Sequence, residues 1–155
     1  MKRLFTILIS VAMLGIFLTG CSGSSKEITA EPKKLAEDLS KTASGDTLSA
    51  VSQEILTSTY LVDASKIEES AAYVGTGATA CEAVVIKCID SDYPAEVKKL
   101  FETRVKNQSD LYASYNADEV KNLDNAIIKT SGNYAVLCVT NDTESAEKIL
   151  KEAGF

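Results

Sequence analysis

The chain has 155 residues, with 22 Asp and Glu against 16 Lys and Arg, and a formal net charge of −6 at pH 7. That balance excludes a nucleic-acid binder, whose affinity comes from neutralising phosphates with basic groups, and a polybasic grip on anionic lipid. There is no histidine, which removes Ser-His-Asp and Cys-His nucleophile arrangements and every His-based zinc site.

The N-terminus reads as an export signal. Lys2 and Arg3 precede an apolar run from Leu4 to Leu18, and small residues follow it. The run falls short of the roughly 20 apolar residues of a membrane span, and Ser22-Gly23-Ser24-Ser25 follows where a stop-transfer segment would be basic. The junction Leu18-Thr19-Gly20-Cys21 resembles the lipobox of bacterial lipoproteins. The resemblance implies that residues 1–20 form a signal peptide that is removed, and that Cys21 becomes a lipidated N-terminus at the extracytoplasmic face of the plasma membrane. Stable attachment takes two acyl chains, and a diacylglyceryl cysteine supplies two. Loss of Lys2 and Arg3 would leave 14 basic against 22 acidic residues, a formal charge of −8. Residues 21–31 read as the lipidated cysteine and a flexible tether, and 32–155 as a single domain.

Within that domain the elements follow from periodicity. Pro32 opens a short amphipathic helix carrying Leu35, Ala36 and Leu39, closed at Gly45. Leu48, Val51, Ile55 and Leu56 predict a second helix running toward Tyr60, and Asp63 with Ser65 a turn. Ala71–Val74 and Ala83–Ile89 read as strands joined through Gly75-Thr76-Gly77-Ala78-Thr79. With Lys87 toward water, alternation turns Val84, Ile86 and Cys88 to the core. Asp92 and Pro94 open the longest helix, whose face carries Val97, Leu100, Phe101, Val105, Gln108, Leu111, Tyr112 and Tyr115. Ala126–Thr130 and Tyr134–Thr140 are strands around a Gly132-Asn133 hairpin. Asn141 with Glu144 predicts a capping box for a last helix ending at Gly154. The order from Ala71 is β-β-α-β-β-α. It predicts an α+β fold, a four-stranded antiparallel sheet with the helices packed on one face.

Three stretches together suggest a relative: Ala83-Val84-Val85-Ile86-Lys87 leading into the helix with Arg104, Gln108 and Tyr115; Asn125-Ala126-Ile127-Ile128; and Gly132-Asn133-Tyr134-Ala135-Val136. Over residues 33–153 the chain resembles a family of small lipoproteins of Gram-positive bacteria known as a domain of unknown function (family 4358). The resemblance implies an envelope location and an α+β shape. It brings no catalytic residue and no cofactor, and Cys81, Cys88 and Cys138 are not part of its pattern.

Catalytic equipment is missing elsewhere as well. No Cys-x-x-Cys and no phosphate-binding loop occurs. Glu68-Glu69 and Asp118-Glu119 lack the oxygen-rich spacing of a calcium loop, so no metal site is expected. Cys81 and Cys88 are too far apart along one strand to pair, which leaves Cys88–Cys138 as the one disulfide to consider beside three buried thiols. Arg104, Gln108 and Tyr115, at i, i+4 and i+11 of one helix, form the candidate polar patch. The expected protein is a lipid-anchored, non-enzymatic binding module with an envelope protein partner and no cofactor. A solute-binding accessory to a transporter or sensor is the alternative, and an unfamiliar hydrolase or redox enzyme the third reading.

Overall fold

The computed structural model describes residues 28–155; the stretches expected to be an export signal and a lipobox, with Cys21, lie outside the described residues. The elements are α1 (Pro32–Ser40), β1 (Ser49–Ala50), α2 (Gln53–Tyr60), β2 (Ile67–Val74), β3 (Glu82–Cys88), α3 (Pro94–Tyr115), α4 (Val120–Asp124), β4 (Ile127–Ser131), β5 (Tyr134–Val139) and α5 (Thr143–Ala153). The five strands form one sheet in the order β1-β2-β3-β5-β4, antiparallel throughout.

The fifth strand corrects the four-stranded expectation. Ser49 and Ala50 pair with Val74 and Tyr73 at the sheet's edge, inside the stretch whose spacing predicts helix. The reason is local. The Ser52 hydroxyl accepts from the Ile55 amide at 3.3 Å and so caps α2. A helix that starts at this cap leaves the backbone of Ser49 and Ala50 to pair with β2.

A second correction concerns the layers: helices cover both faces of the sheet. One face carries Ala72, Val84, Ile86, Cys88, Ala135, Leu137 and Val139 against Leu56, Tyr60, Val97, Phe101, Tyr112 and Leu123 of α2, α3 and α4. The other carries Ala83, Val85, Val136 and Cys138 against Leu35, Ala36 and Leu39 of α1 and Ala146 and Leu150 of α5. The central strands explain this. Six of the seven residues of β3 and all six of β5 are buried. Such near-continuous apolar runs belong to strands covered on both sides, and each fully buried Val, Leu or Ile contributes roughly 1.5–3 kcal/mol. Alternation places Val84, Ile86 and Cys88 together as expected, but Ala83 and Val85 make a second core behind them.

The folded part also starts earlier than Pro32. Ile28 is buried with α1 and α5, and the Tyr134 hydroxyl donates to the Ala30 carbonyl at 3.1 Å. Ile28 and Ala30, assigned to the tether, are therefore packed. The last helix is capped by Asp142, whose carboxylate accepts from the Ser145 amide at 3.0 Å. Asn141 instead binds the backbone of Ser44 in both directions, so the capping box is not formed. The hairpin at Gly132-Asn133 stands as expected, with Gly132 at φ +55.

Leu61, which ends α2, has φ +56 and is 73% exposed. A left-handed conformation costs an L-residue about 1–2 kcal/mol, and glycine is the usual residue there. Leu61→Gly is expected to stabilise the fold by about 1 kcal/mol, a rise in Tm of about 4 °C for a domain of this size. Thermal unfolding followed by circular dichroism checks it; an unchanged or lowered Tm would mean the exposed side chain contributes packing.

Candidate functional site

Polar chemistry gathers where β3 begins. The Glu82 carboxylate, only 3% exposed, lies beneath α2 and α3. It accepts from the Tyr60 hydroxyl at 2.6 Å, from Arg104 Nε at 2.9 Å and from Arg104 Nη2 at 2.7 Å. The guanidinium also sits over the Tyr60 ring, 4.8 Å from its centroid. Burial works against the Arg104 charge, but Glu82 outweighs it and raises the Arg104 pKa. Burial, with the neighbouring Glu82 carboxylate, drives the Tyr60 hydroxyl above its ordinary range, so it stays a neutral donor. The three side chains tie α2, β3 and α3 to one point, and the ion pair is neutral as a unit.

Two small cavities flank this cluster, and Arg104 and Gln108 line both. One, of about 130 Å³, lies between the end of α2 and α3, with Tyr60, Leu61, Leu100 and Asn107. The other, of about 100 Å³, lies under the loop 74–81, with Cys81, Glu82 and Tyr112. That loop is held at several points. Asp46 accepts from the Thr76 amide at 3.0 Å and the Thr76 hydroxyl at 3.1 Å. The Tyr112 hydroxyl donates to the Gly77 carbonyl at 3.2 Å, and the Ala80 amide donates to Glu119 at 2.9 Å. A Cβ on Gly75 would fall 2.4 Å from Asp46 Oδ2, so Gly75 is the residue that allows this closure. The Gly75-x-Gly77 pair thus serves a pinned turn.

Of the expected patch, Arg104 and Gln108 come together and Tyr115 stands apart. Tyr115 is 57% exposed and packs on Tyr112, ring centroids 4.8 Å apart; Leu111 beside it is exposed too. The expectation that the whole face of α3 is core fails at this end because of length. A helix of 22 residues spans about 33 Å at 1.5 Å per residue. The seven residues of β3 span about 23 Å. Tyr112 is still buried in the core, and Tyr115, three residues farther on at the end of α3, lies past it. Sequence reasoning missed Glu82 and Tyr60, though an acidic residue opening an otherwise apolar strand is a visible signal of a buried charge that needs a partner.

A larger cavity lies elsewhere, on the opposite face of the sheet. It is a groove of about 610 Å³ between α1 and α5, with Leu35, Ile149 and Ala153 in its floor and Lys34, Asp38 and Glu152 on its rim. The chemistry at Glu82 and Arg104 does not reach it.

The three thiols Cys81, Cys88 and Cys138 are free and buried, and the Cys88–Cys138 disulfide is ruled out by placement. Cys88 lies opposite Asn133, whose carbonyl accepts from its amide. Cys138 is five residues farther along β5, about 17 Å away, and faces the other core. Disulfides need Cα atoms about 4.4–6.8 Å apart. Burial pushes the Cys88 thiol up to about 11 and the Cys138 thiol up to about 12. Between pH 9 and 11 the unfolded chain loses these protons while the folded chain keeps them. The unfolded state then binds fewer protons, so stability falls as pH rises through this window. Urea unfolding at pH 8 and pH 10.5 checks this, with the lower midpoint expected at pH 10.5 and the Cys88→Ala/Cys138→Ala variant losing part of the difference.

Among the described residues, no group of three or more Cys, Asp or Glu is arranged to hold a metal ion, and no helix is long and apolar enough to cross a membrane. The fold is an α+β domain with a helical layer on each face of an antiparallel sheet. The chain belongs to the family described as Domain of unknown function (DUF4358), which matches residues 41–140. No curated protein and no solved structure matches it. The matched span is shorter than the resemblance over 33–153. It holds the whole sheet and α2 to α4, and it leaves out α1 and α5, which together make the second layer.

Proposed function

We propose that this protein is a lipid-anchored module of the cell envelope that acts by binding a protein partner, with no catalytic step of its own. Its contact region is the end of the sheet carrying Arg104, Gln108 and the exposed Tyr115. One observation carries the reading: chain entry and contact region lie at opposite ends of the strands. Ala30 meets Tyr134, which pairs with Lys87 at one end of β3, whereas Glu82 pairs with Val139 at the other. A lipidated Cys21 would stand seven residues before Ile28, a reach of at most about 24 Å. The domain would be held close to the membrane with Tyr115 facing away from it.

Cavity size supports a protein over a solute. Small-molecule sites run to about 300–1,000 Å³. The cavities beside Arg104, of about 130 and 100 Å³, are nearer the roughly 150 Å³ that takes one benzene-sized group. That suits a single anchoring side chain from a partner, with exposed Leu61 lining the larger of the two. The α1–α5 groove of about 610 Å³ favours the second reading, a solute-binding accessory to a transporter or sensor.

The test places a photo-cross-linker at position 115 of the full chain in its native membranes, beside metabolic labelling with palmitate. Palmitate should enter the wild type and not Cys21→Ala, and one partner should be captured in a yield that drops on Gln108→Ala. Label retained by Cys21→Ala would sink the anchor. No capture from position 115, with an envelope solute bound by the wild type and lost on Ile149→Arg, would replace the protein-partner reading by the solute reading.

A further inference from the structure

On a different surface, one edge of the sheet is left open. β4 is hydrogen-bonded to β5 on one side, and among the described residues no strand lies on its other side. The register tells which of its backbone groups are unpaired. The Cys88 amide donates to the Asn133 carbonyl at 2.7 Å, so the odd-numbered residues of β5 turn their backbone groups to β3. Residues alternate in direction along a strand, so Tyr134, Val136 and Cys138 turn theirs to β4. Their partners there are Ser131, Lys129 and Ile127. Ile128 and Thr130 therefore present their N–H and C=O groups outward, two donors and two acceptors in strand geometry.

Natural edges of this kind are usually guarded, often by a lysine. Lys129 does not guard this one, because its ammonium is paired with Glu147 of α5. A groove of about 470 Å³ runs beside the open edge, between it and α3. Val105 and Ser109 of α3, Leu123 of α4, and Ala126 and Ile128 line it. Its rim holds Glu102, Asp110, Asp124 and Lys106; Asp110 is matched by Lys106 at 2.6 Å and Glu102 by Lys98 at 3.9 Å, so among the described residues Asp124 is the rim carboxylate without a salt bridge.

An open edge beside a side-chain groove is the arrangement by which domains take up an extended peptide. Main-chain bonds supply affinity, and pockets for alternate side chains supply selection. We propose that β4 accepts an extended peptide segment of a protein partner as a sixth strand, with an apolar side chain in the α3–β4 groove and a Lys or Arg beside Asp124. Asp124 favours a basic residue in that segment, and the net charge of −6 on each copy of this chain disfavours a second copy, since like charges oppose association.

The test uses a phage-displayed library of random heptapeptides, selected on the full chain. The expected peptides alternate apolar or β-branched residues with polar ones and include Lys or Arg. Thr130→Pro removes one outward donor without touching the ladder to β5, a place where proline is tolerated. It should weaken a selected peptide at least tenfold while unfolding stays as in the wild type. Ser109→Trp fills the groove and leaves the edge free; it should weaken the same peptide, and Gln108→Ala, at the other site, should not. On the wild type, the peptide should slow hydrogen exchange at the amides of Ile128 and Thr130. Selected peptides that bind Thr130→Pro as tightly, or none enriched over selection on that variant, would overturn the proposal. So would self-association of the wild type that Thr130→Pro abolishes, which would make a second copy the occupant.

Discussion

Glu82→Gln is expected to cost the fold about 3 kcal/mol, the low end of what removing one partner of a buried ion pair costs. Glu82 receives three donor groups, Tyr60 Oη, Arg104 Nε and Arg104 Nη2. The amide would leave the Arg104 charge unmatched and turn donors toward a donor. The low end applies because Arg104 keeps 21% of its side chain exposed, so water recovers part of the loss. In urea the midpoint should fall by about 2 M, for a slope near 1.5 kcal/mol/M. Replacing both partners by Met should recover most of the stability, since a buried pair gains little net over apolar packing. A loss below about 1 kcal/mol for Glu82→Gln would show that the pair does not tie the helices to the sheet.

Phe101→Ala should be at least as damaging, about 4 kcal/mol, within the range for deleting a buried aromatic ring. Phe101 has no exposed surface, and it meets the Tyr60 ring edge-on at 5.9 Å. The ring fills the space between α2, α3 and the sheet, and backbone packed this closely does not collapse to refill it. Tyr60 gives the two substitutions a shared neighbour: its ring contacts Phe101 and its hydroxyl bonds Glu82. Their effects should therefore not add. The Glu82→Gln/Phe101→Ala double variant should depart from the sum by 0.5 kcal/mol or more, as for coupled residues generally. Additivity within error would mean that Tyr60 transmits nothing between them.

The candidate site was half legible. Arg104 and Gln108 are one helical turn apart, so their shared face follows from spacing alone. Glu82 and Tyr60 lie 22 residues apart and are joined at 2.6 Å only through the fold. Tyr115 shares the stripe of Arg104 by sequence, yet it lies past the buried Tyr112 at the end of α3. The β4 edge shows the same divide. Ala126–Thr130 reads as a strand from its β-branched residues, but strand order decides that β5 lies between β4 and β3 and leaves β4 open.

Elements with a local cause are legible in the chain alone: the helix opened by Pro94, the hairpin at Gly132-Asn133, and the end of α5 at Gly154, where φ is +106. Each depends on backbone restrictions within a few residues. The apolar runs Ala83–Ile86 and Ala135–Val139 likewise mark these strands as buried. Long-range packing sets the rest: these strands are buried from both sides, Ser49–Ala50 joins the sheet, and Cys88 and Cys138 face different cores. Those outcomes depend on which distant segments meet. An apolar run states that a strand avoids water, and the partners that exclude the water are chosen by packing across the whole chain.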